Sequence, residues 1–186
     1  MVAEALKKGK NLRYLNLANN GFKNKGSEAI LRNIPVCVYS LNMDGNLEKS
    51  SDKAKSESAC RELSNMLLSK PALHSLSLAG GNLKEDISYF FAALGDNDTL
   101  KELDVSGQQC GDQAFAILCS SLRKNKTLTS LNCSKNNLSL NSSLALKQAL
   151  KHNSTLQKIE IFSSSYDKIA QDSTAISLFE DITLEV

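Results

Sequence analysis

Three kinds of residue in this chain could do chemistry: two histidines, five cysteines and a few closely spaced carboxylates. His74 follows Leu73 in an extended segment, and His152 stands in a return loop after a helical one. Both read as surface histidines, too far apart to share a metal. Cys37, Cys60, Cys110, Cys119 and Cys133 are odd in number and irregular in spacing, with no Cys-x-x-Cys pair. That argues against a disulfide framework and for small thiols in a reducing compartment, so a cytoplasmic location is expected. Cys133 stands where an inward-facing apolar residue belongs, and Cys119 should be partly exposed on an outer helix. Glu102 and Asp104 are two residues apart. In a strand they share one side, whereas an acid–base pair for bond cleavage must face across a cleft. Gly80-Gly81 lacks the Lys-Ser/Thr of a phosphate loop and reads as a turn. The residues point to no enzyme, no cofactor and no metal.

Charge and hydropathy narrow the partners. The 186 residues carry a formal net charge of +2. The longest basic cluster, Lys7-Lys8-Gly9-Lys10, is too short for a nucleic-acid surface. No run of about 18 apolar residues could span a membrane. Residues Met1 to Lys10 lack the apolar core of a secretory signal. Six Asn-x-Ser/Thr triplets, starting at Asn97, Asn125, Asn132, Asn137, Asn141 and Asn153, are a mild signal against the cytoplasm. A composition rich in Asn, Ser and Thr produces such triplets readily.

The elements that position these residues come from an internal repeat. Asn97-Asp-Thr-Leu-Lys-Glu-Leu-Asp-Val105 returns as Asn125-Lys-Thr-Leu-Thr-Ser-Leu-Asn-Cys133 and again as Asn153-Ser-Thr-Leu-Gln-Lys-Ile-Glu-Ile161, each time after 28 residues. Its apolar skeleton occurs at Leu12/Leu15/Leu17, Val38/Leu41/Met43, Leu73/Leu76/Leu78, Leu100/Leu103/Val105, Leu128/Leu131/Cys133 and Leu156/Ile159/Ile161. The starts at 12, 38, 73, 100, 128 and 156 are separated by 26, 35, 27, 28 and 28 residues. The long second unit predicts an insertion or an extended helix between Asn46 and Pro71.

Within each unit, alternation predicts a short strand with its leucines inward. Asn20, Asn46 and Asn136 follow three residues after the last apolar position and can bond the turn leaving the strand. Gly81, Gln108 and Ser164 replace that Asn in the other units, so their turns should be looser or differently bonded. Between strands the period becomes helical: Leu63 and Leu67, Phe90 and Leu94, Ala114, Leu118 and Leu122, and Leu146 and Leu150 each share a face. Val2 and Leu6 match Leu118 and Leu122 in register. Helices are wider than strands, so the stack bends into a horseshoe with parallel strands on the concave face and helices outside. Residues 167–180 read as another outer helix, and Ile182, Leu184 and Val186 as a last strand. The expected organisation is one α/β solenoid over 1–186, as part of a longer solenoid or with uncapped ends that self-associate.

The stretch Thr99-Leu-Lys-Glu-Leu-Asp-Val-Ser-Gly107, followed by Gly111-Asp-Gln-Ala-Phe-Ala-Ile-Leu-Cys-Ser-Ser-Leu122, resembles the ribonuclease-inhibitor-like class of leucine-rich repeats. Within that class it is similar to repeats of tropomodulin, of the CARMIL regulators and of intracellular NOD-like receptors. The resemblance covers nearly the whole chain. It implies a rigid, non-catalytic surface for protein partners, in actin regulation or signalling. An immune-type ligand sensor, or a regulatory part of a larger enzyme, are the alternatives. The long second unit, Gly81 and the absence of Trp depart from the pattern.

Side chains between the buried positions should form the binding surface. The candidates are Tyr14, Asn42, Asp44, Glu102, Asp104, Asn132, Lys158, Glu160 and Phe162. Tyr14 and Phe162 are the large aromatics among them, at opposite ends. Glu102 and Asp104 share their columns with Lys158 and Glu160, with Ser130 and Asn132 between them. A strip of this kind could read a basic patch on a partner.

Overall fold

A computed structural model describes residues 2–48, 51 and 53–161, the side chains of 53–56 excepted. The expected helix at 167–180, the strand after it, Ser164 and Phe162 lie outside the described residues.

Each unit forms a three-residue strand whose middle residue is the second skeletal position. In chain order they are β1 (Tyr14–Asn16), β2 (Ser40–Asn42), β3 (Ser75–Ser77), β4 (Glu102–Asp104), β5 (Ser130–Asn132) and β6 (Lys158–Glu160). All six pair in parallel in sequence order, with Leu15, Leu41, Leu76, Leu103, Leu131 and Ile159 in one row. On the other side lie α1 (Val2–Leu6), α2 (Asn24–Leu31), α3 (Lys53–Ser69), α4 (Ser88–Leu94), α5 (Gly111–Lys124) and α6 (Leu140–Leu150). A 3-10 turn, Lys84–Ile87, leads into α4. The architecture is the expected horseshoe: a sequential parallel sheet with helices on its convex side.

The core is a continuous sandwich between sheet and helices. Leu63, Leu67, Phe90, Phe91, Phe115, Leu118 and Leu146 meet the strand leucines, all with almost no exposed surface. Full burial of each such side chain contributes about 1.5–3 kcal/mol. In β1 and β6 the skeletal residues are only partly buried. The long second unit is absorbed by α3, whose 17 residues exceed the 14 of α5 and the 11 of α6.

Two expectations are corrected. Cys119 is 3% exposed, not partly exposed. α5 is flanked on both sides by α4 and α6 and buries two adjacent rows, Ala114, Leu118 and Leu122 beside Phe115 and Cys119. Val2 is 45% exposed although Leu6 is buried, because the five-residue α1 packs by its last turn.

Two ladders of side-chain amides tie neighbouring units together. At the strand exits, the Asn46 amide donates to Leu17 O (2.7 Å) and its oxygen accepts from the Asn20 and Phe22 N–H groups. Asn136 donates to Val105 O (2.9 Å) and Cys133 O (2.9 Å). Where the fourth unit has Gln108, the longer side chain does the same work, donating to Leu78 O and accepting from Leu83 N–H (3.0 Å). The turn is differently bonded, as its sequence implied, and Gly81 leaves the space that Gln108 fills.

The second ladder runs along the return loops. The Asn125 amide donates to Leu94 O (2.8 Å) and Asn97 O (2.9 Å), and its oxygen accepts from Thr127 and Leu128 N–H. Asn97 and Asn153 make the corresponding bonds one unit either side. The recurring Asn-x-Thr is thus a structural signature: three of the six glycosylation-like triplets spend their amide nitrogen on backbone carbonyls. The Asn132 amide donates to Asp104, and only Asn137 and Asn141 of the six are exposed.

Candidate functional site

The concave face is built from strand residues that alternate away from the core. One column runs Tyr14, Ser40, Ser75, Glu102, Ser130 and Lys158, and the next Asn16, Asn42, Ser77, Asp104, Asn132 and Glu160. The parallel register brings the sequence candidates onto one surface, Phe162 excepted.

Their surroundings separate them. Asn16, Asn42, Asp104 and Asn132 each use a side-chain oxygen to accept the N–H two residues on, at 2.8–3.1 Å. This column therefore has a structural duty, capping the turn as the chain leaves the strand. Asp44 accepts from the Ser77 hydroxyl (2.5 Å) and from Ala79 N–H (2.7 Å), stitching the second unit to the third. Lys158 and Glu160 pair with each other at 2.7 Å, and this contact holds the exposed Lys158 ammonium above its usual pKa. Glu102 also contributes to raising the Lys158 pKa. Among the described residues, Asp44, Glu102 and Asp104 make no salt bridge and give this part of the face a negative charge.

Tyr39 was not among the sequence candidates. It stands one residue before β2, outside the alternating pattern that marks the floor. Its ring lies 6.1 Å from that of Tyr14 and 4.6 Å from that of His74, stacked on the latter at 16°. Tyr14 is 72% exposed and Tyr39 40%. The available signal was a ring at the residue before the strand in two successive units.

Among the described residues no group of three His, Cys, Asp or Glu side chains could hold a metal, and no helix is long and apolar enough to cross a membrane. A cleft of about 120 Å³ between the end of α3 and the next return loop, lined in part by Leu68, Pro71, Asp96 and Asp98, is well below the size of a cofactor site. The carboxylate of Asp112, on the exposed first turn of α5, is structural. Burial alone would raise its pKa, but the Ser139 and Ser142 hydroxyls and the Ser139 N–H outweigh that and hold it below the usual range.

All five cysteines are free. Burial pushes the Cys60, Cys110 and Cys119 thiols up to about 12 and raises Cys133 as well. A thiol must ionise to react. At pH 8 in the folded chain, iodoacetamide is expected to modify only half-buried Cys37 within minutes, and all five in guanidinium chloride. Rapid addition of two or more labels to the folded chain, read by intact mass, would contradict this.

Comparison with known proteins agrees with the fold. No family model matches the chain. A Rho GTPase-activating protein, gacW, of Dictyostelium discoideum is 31% identical over 150 residues, covering 71% of this chain and 13% of that protein. Protein CARMIL of the same organism is 32% identical over 127 residues, covering 65% and 12%. The human capping protein, Arp2/3 and myosin-I linker protein 3 is 35% identical over 86 residues, covering 46% and 6%. The chain thus spans about an eighth or less of the length of these relatives. Among solved structures, the leucine-rich repeat-containing protein LegL7 of Legionella pneumophila superposes with a TM-score of 0.61 at 20% identity, covering all of this chain and 60% of that one. The tropomodulin C-terminal domain of Caenorhabditis elegans gives 0.64 at 14%, covering 82% and 93%. With its ordered parallel sheet, outer helices and Asn ladders, the chain is a leucine-rich repeat solenoid, related in sequence to the CARMIL proteins.

Proposed function

We propose that this chain is a non-catalytic scaffold in actin-cytoskeleton regulation, binding a protein partner on its concave face. The observation that carries the reading is the set of carboxylates Asp44, Glu102 and Asp104, none of them in a salt bridge among the described residues, on one face of a parallel sheet. An exposed cluster of one sign steers an oppositely charged partner and disfavours the wrong one. The actin assignment is supported by the relatives: a human one is named as a linker of capping protein, Arp2/3 and myosin-I. Units of 27 and 28 residues with a full outer helix support a place in the ribonuclease-inhibitor-like class, and a role as one segment of a longer solenoid. Buried free thiols support a reducing, cytoplasmic setting. Of the remaining candidates, Tyr14 and Glu102 are the foremost contacts, because neither has a duty in the turns.

The test measures binding of the immobilised chain to purified capping protein, Arp2/3 complex and myosin-I at physiological salt. Glu102→Lys tests the charge. Asp104→Asn also removes charge but keeps an oxygen for the Ser106 N–H, so both variants should fold. At least one of the three proteins is expected to bind, with affinity at least tenfold lower for the double variant. Binding of none, or equal binding by the variant, rejects the reading.

The likeness to gacW favours a second reading, a recognition segment within a regulator of Rho GTPases. Binding of a purified Rho-family GTPase to the wild-type chain, with none of the three cytoskeletal proteins bound, would select it.

A further inference from the structure

The concave face has an aromatic ledge beside its acidic floor, and we propose that this ledge clamps an arginine-rich segment of a protein partner. The inference deepens the concave-face reading and rests on it.

The ledge crosses three units. Tyr14 opens the first floor column, and Tyr39 and His74 stand in the adjoining lip row, with the ring separations given above. Among the described residues the other large rings are covered: Phe90, Phe91 and Phe115 are fully buried, and Phe22 and Tyr89 are packed against the core. The remaining exposed large apolar residues, Val2, Val36, Leu68, Ile117 and Leu144, lie on helices and return loops. Two tyrosines exposed side by side are therefore a local departure, on the same face as the carboxylates.

Charge decides the occupant. The floor beside the ledge carries Asp44, Glu102 and Asp104, while Arg13 and Lys101 bracket the ledge along the lip. The carboxylates draw a cationic segment onto this face, and the two flanking cations confine it to the rings between them. An arginine-rich segment suits both features, because one guanidinium plane stacks on a tyrosine face while the N–H forks of others pair with the carboxylates, Glu102 and Asp104 standing two strands from Tyr39 and three from Tyr14. An ammonium does only the second well. The molecule already makes such a contact elsewhere: the Arg61 guanidinium carbon lies 4.5 Å from the centre of the Tyr89 ring.

Fluorescence anisotropy with labelled octa-arginine, octa-lysine and deca-proline peptides tests this on the full chain. Octa-arginine is expected to bind at least tenfold more tightly than octa-lysine. Tyr14→Ala with Tyr39→Ala should remove most of that preference, while Tyr14→Phe with Tyr39→Phe retains it, with folding checked by circular dichroism. Equal affinity for the two cationic peptides, an unchanged preference in the alanine variant, or binding of deca-proline in place of octa-arginine each overturns the proposal. The wild-type comparison stands even if the alanine variant fails to fold. If Glu102→Lys abolishes binding of the cytoskeletal proteins and the arginine preference is absent, the concave scaffold survives and the ledge does not. If the preference is present and none of those proteins binds, the ledge survives and the actin assignment fails.

Discussion

Asn125→Ala is expected to lower folding stability by about 3–4 kcal/mol, a loss large enough to threaten a solenoid of this size. Asn125 is 1% exposed and stands between the fourth and fifth units. Its amide satisfies the carbonyls of Leu94 and Asn97, and its oxygen receives the N–H groups of Thr127 and Leu128. Alanine removes these four bonds, and a fifth from the Thr127 hydroxyl, and leaves backbone groups in a site that water does not readily reach. Each such orphan costs about 1–3 kcal/mol, and relaxation of the loop recovers part of the total. Urea unfolding followed by circular dichroism measures the change. Exposed Asn141, in the first turn of α6, is the control, and its alanine variant should stay within about 0.5 kcal/mol of the parent. Similar small losses for both variants would show that the return-loop ladder contributes little. Because neighbouring units stabilise one another, damage at this junction should loosen the fourth and fifth units together. Hydrogen exchange would show it as lost protection in α5 and α6.

Gly81→Ala should cost about 2–3 kcal/mol, an unusual penalty for adding one methyl group. A Cβ at this position would sit 2.6 Å from Leu47 O and 2.9 Å from the Gln108 amide nitrogen. The side chain of Gln108 could retreat, but the Leu47 carbonyl belongs to the backbone. Gln108→Ala therefore should not rescue Gly81→Ala. It adds its own loss, since Leu78 O and Leu83 N–H lose their partner. Thermal unfolding of the two single variants and the double variant checks this. A double variant more stable than Gly81→Ala would show that the Gln108 side chain, and not the carbonyl, enforces glycine here.

These two sites mark the limit of what the repeat pattern could reveal. From the skeleton alone, Gly81 and Gln108 are two separate departures from an expected Asn. In the structure they are one arrangement, a longer amide reaching into the space that the missing side chain leaves. The Asn-x-Thr motif has a similar history. As a local triplet it signals glycosylation, and only the stacking of units shows its amide nitrogens spent on carbonyls in the preceding unit. Cys119 was misjudged for a related reason. A single helix facing a sheet buries one stripe, but a helix between two others buries a second row along its flank.

Among the candidate contacts, Tyr14, Glu102 and Lys158 could be placed from alternation, since a strand sends every second side chain to the same side. The duties of Asn42, Asp104 and Asn132 in the turns, the bonds from Asp44 to the third unit and the pairing of Lys158 with Glu160 could not. Tyr39 was hidden because it precedes its strand and so falls outside the alternation. Its ring contacts to units on both sides bring it onto the binding face.

The sequence by itself determined the solenoid, the number and register of the strands through residue 161 and the helices outside. It could do so because the repeat is written in local periodicities: two residues per strand alternation, about 3.6 per helical turn and about 28 per unit. Only the tertiary structure decided which polar side chains on the concave face are free to meet a partner. That freedom depends on what each side chain touches in the neighbouring unit, some 26 to 35 residues away in the chain, where local periodicity carries no information.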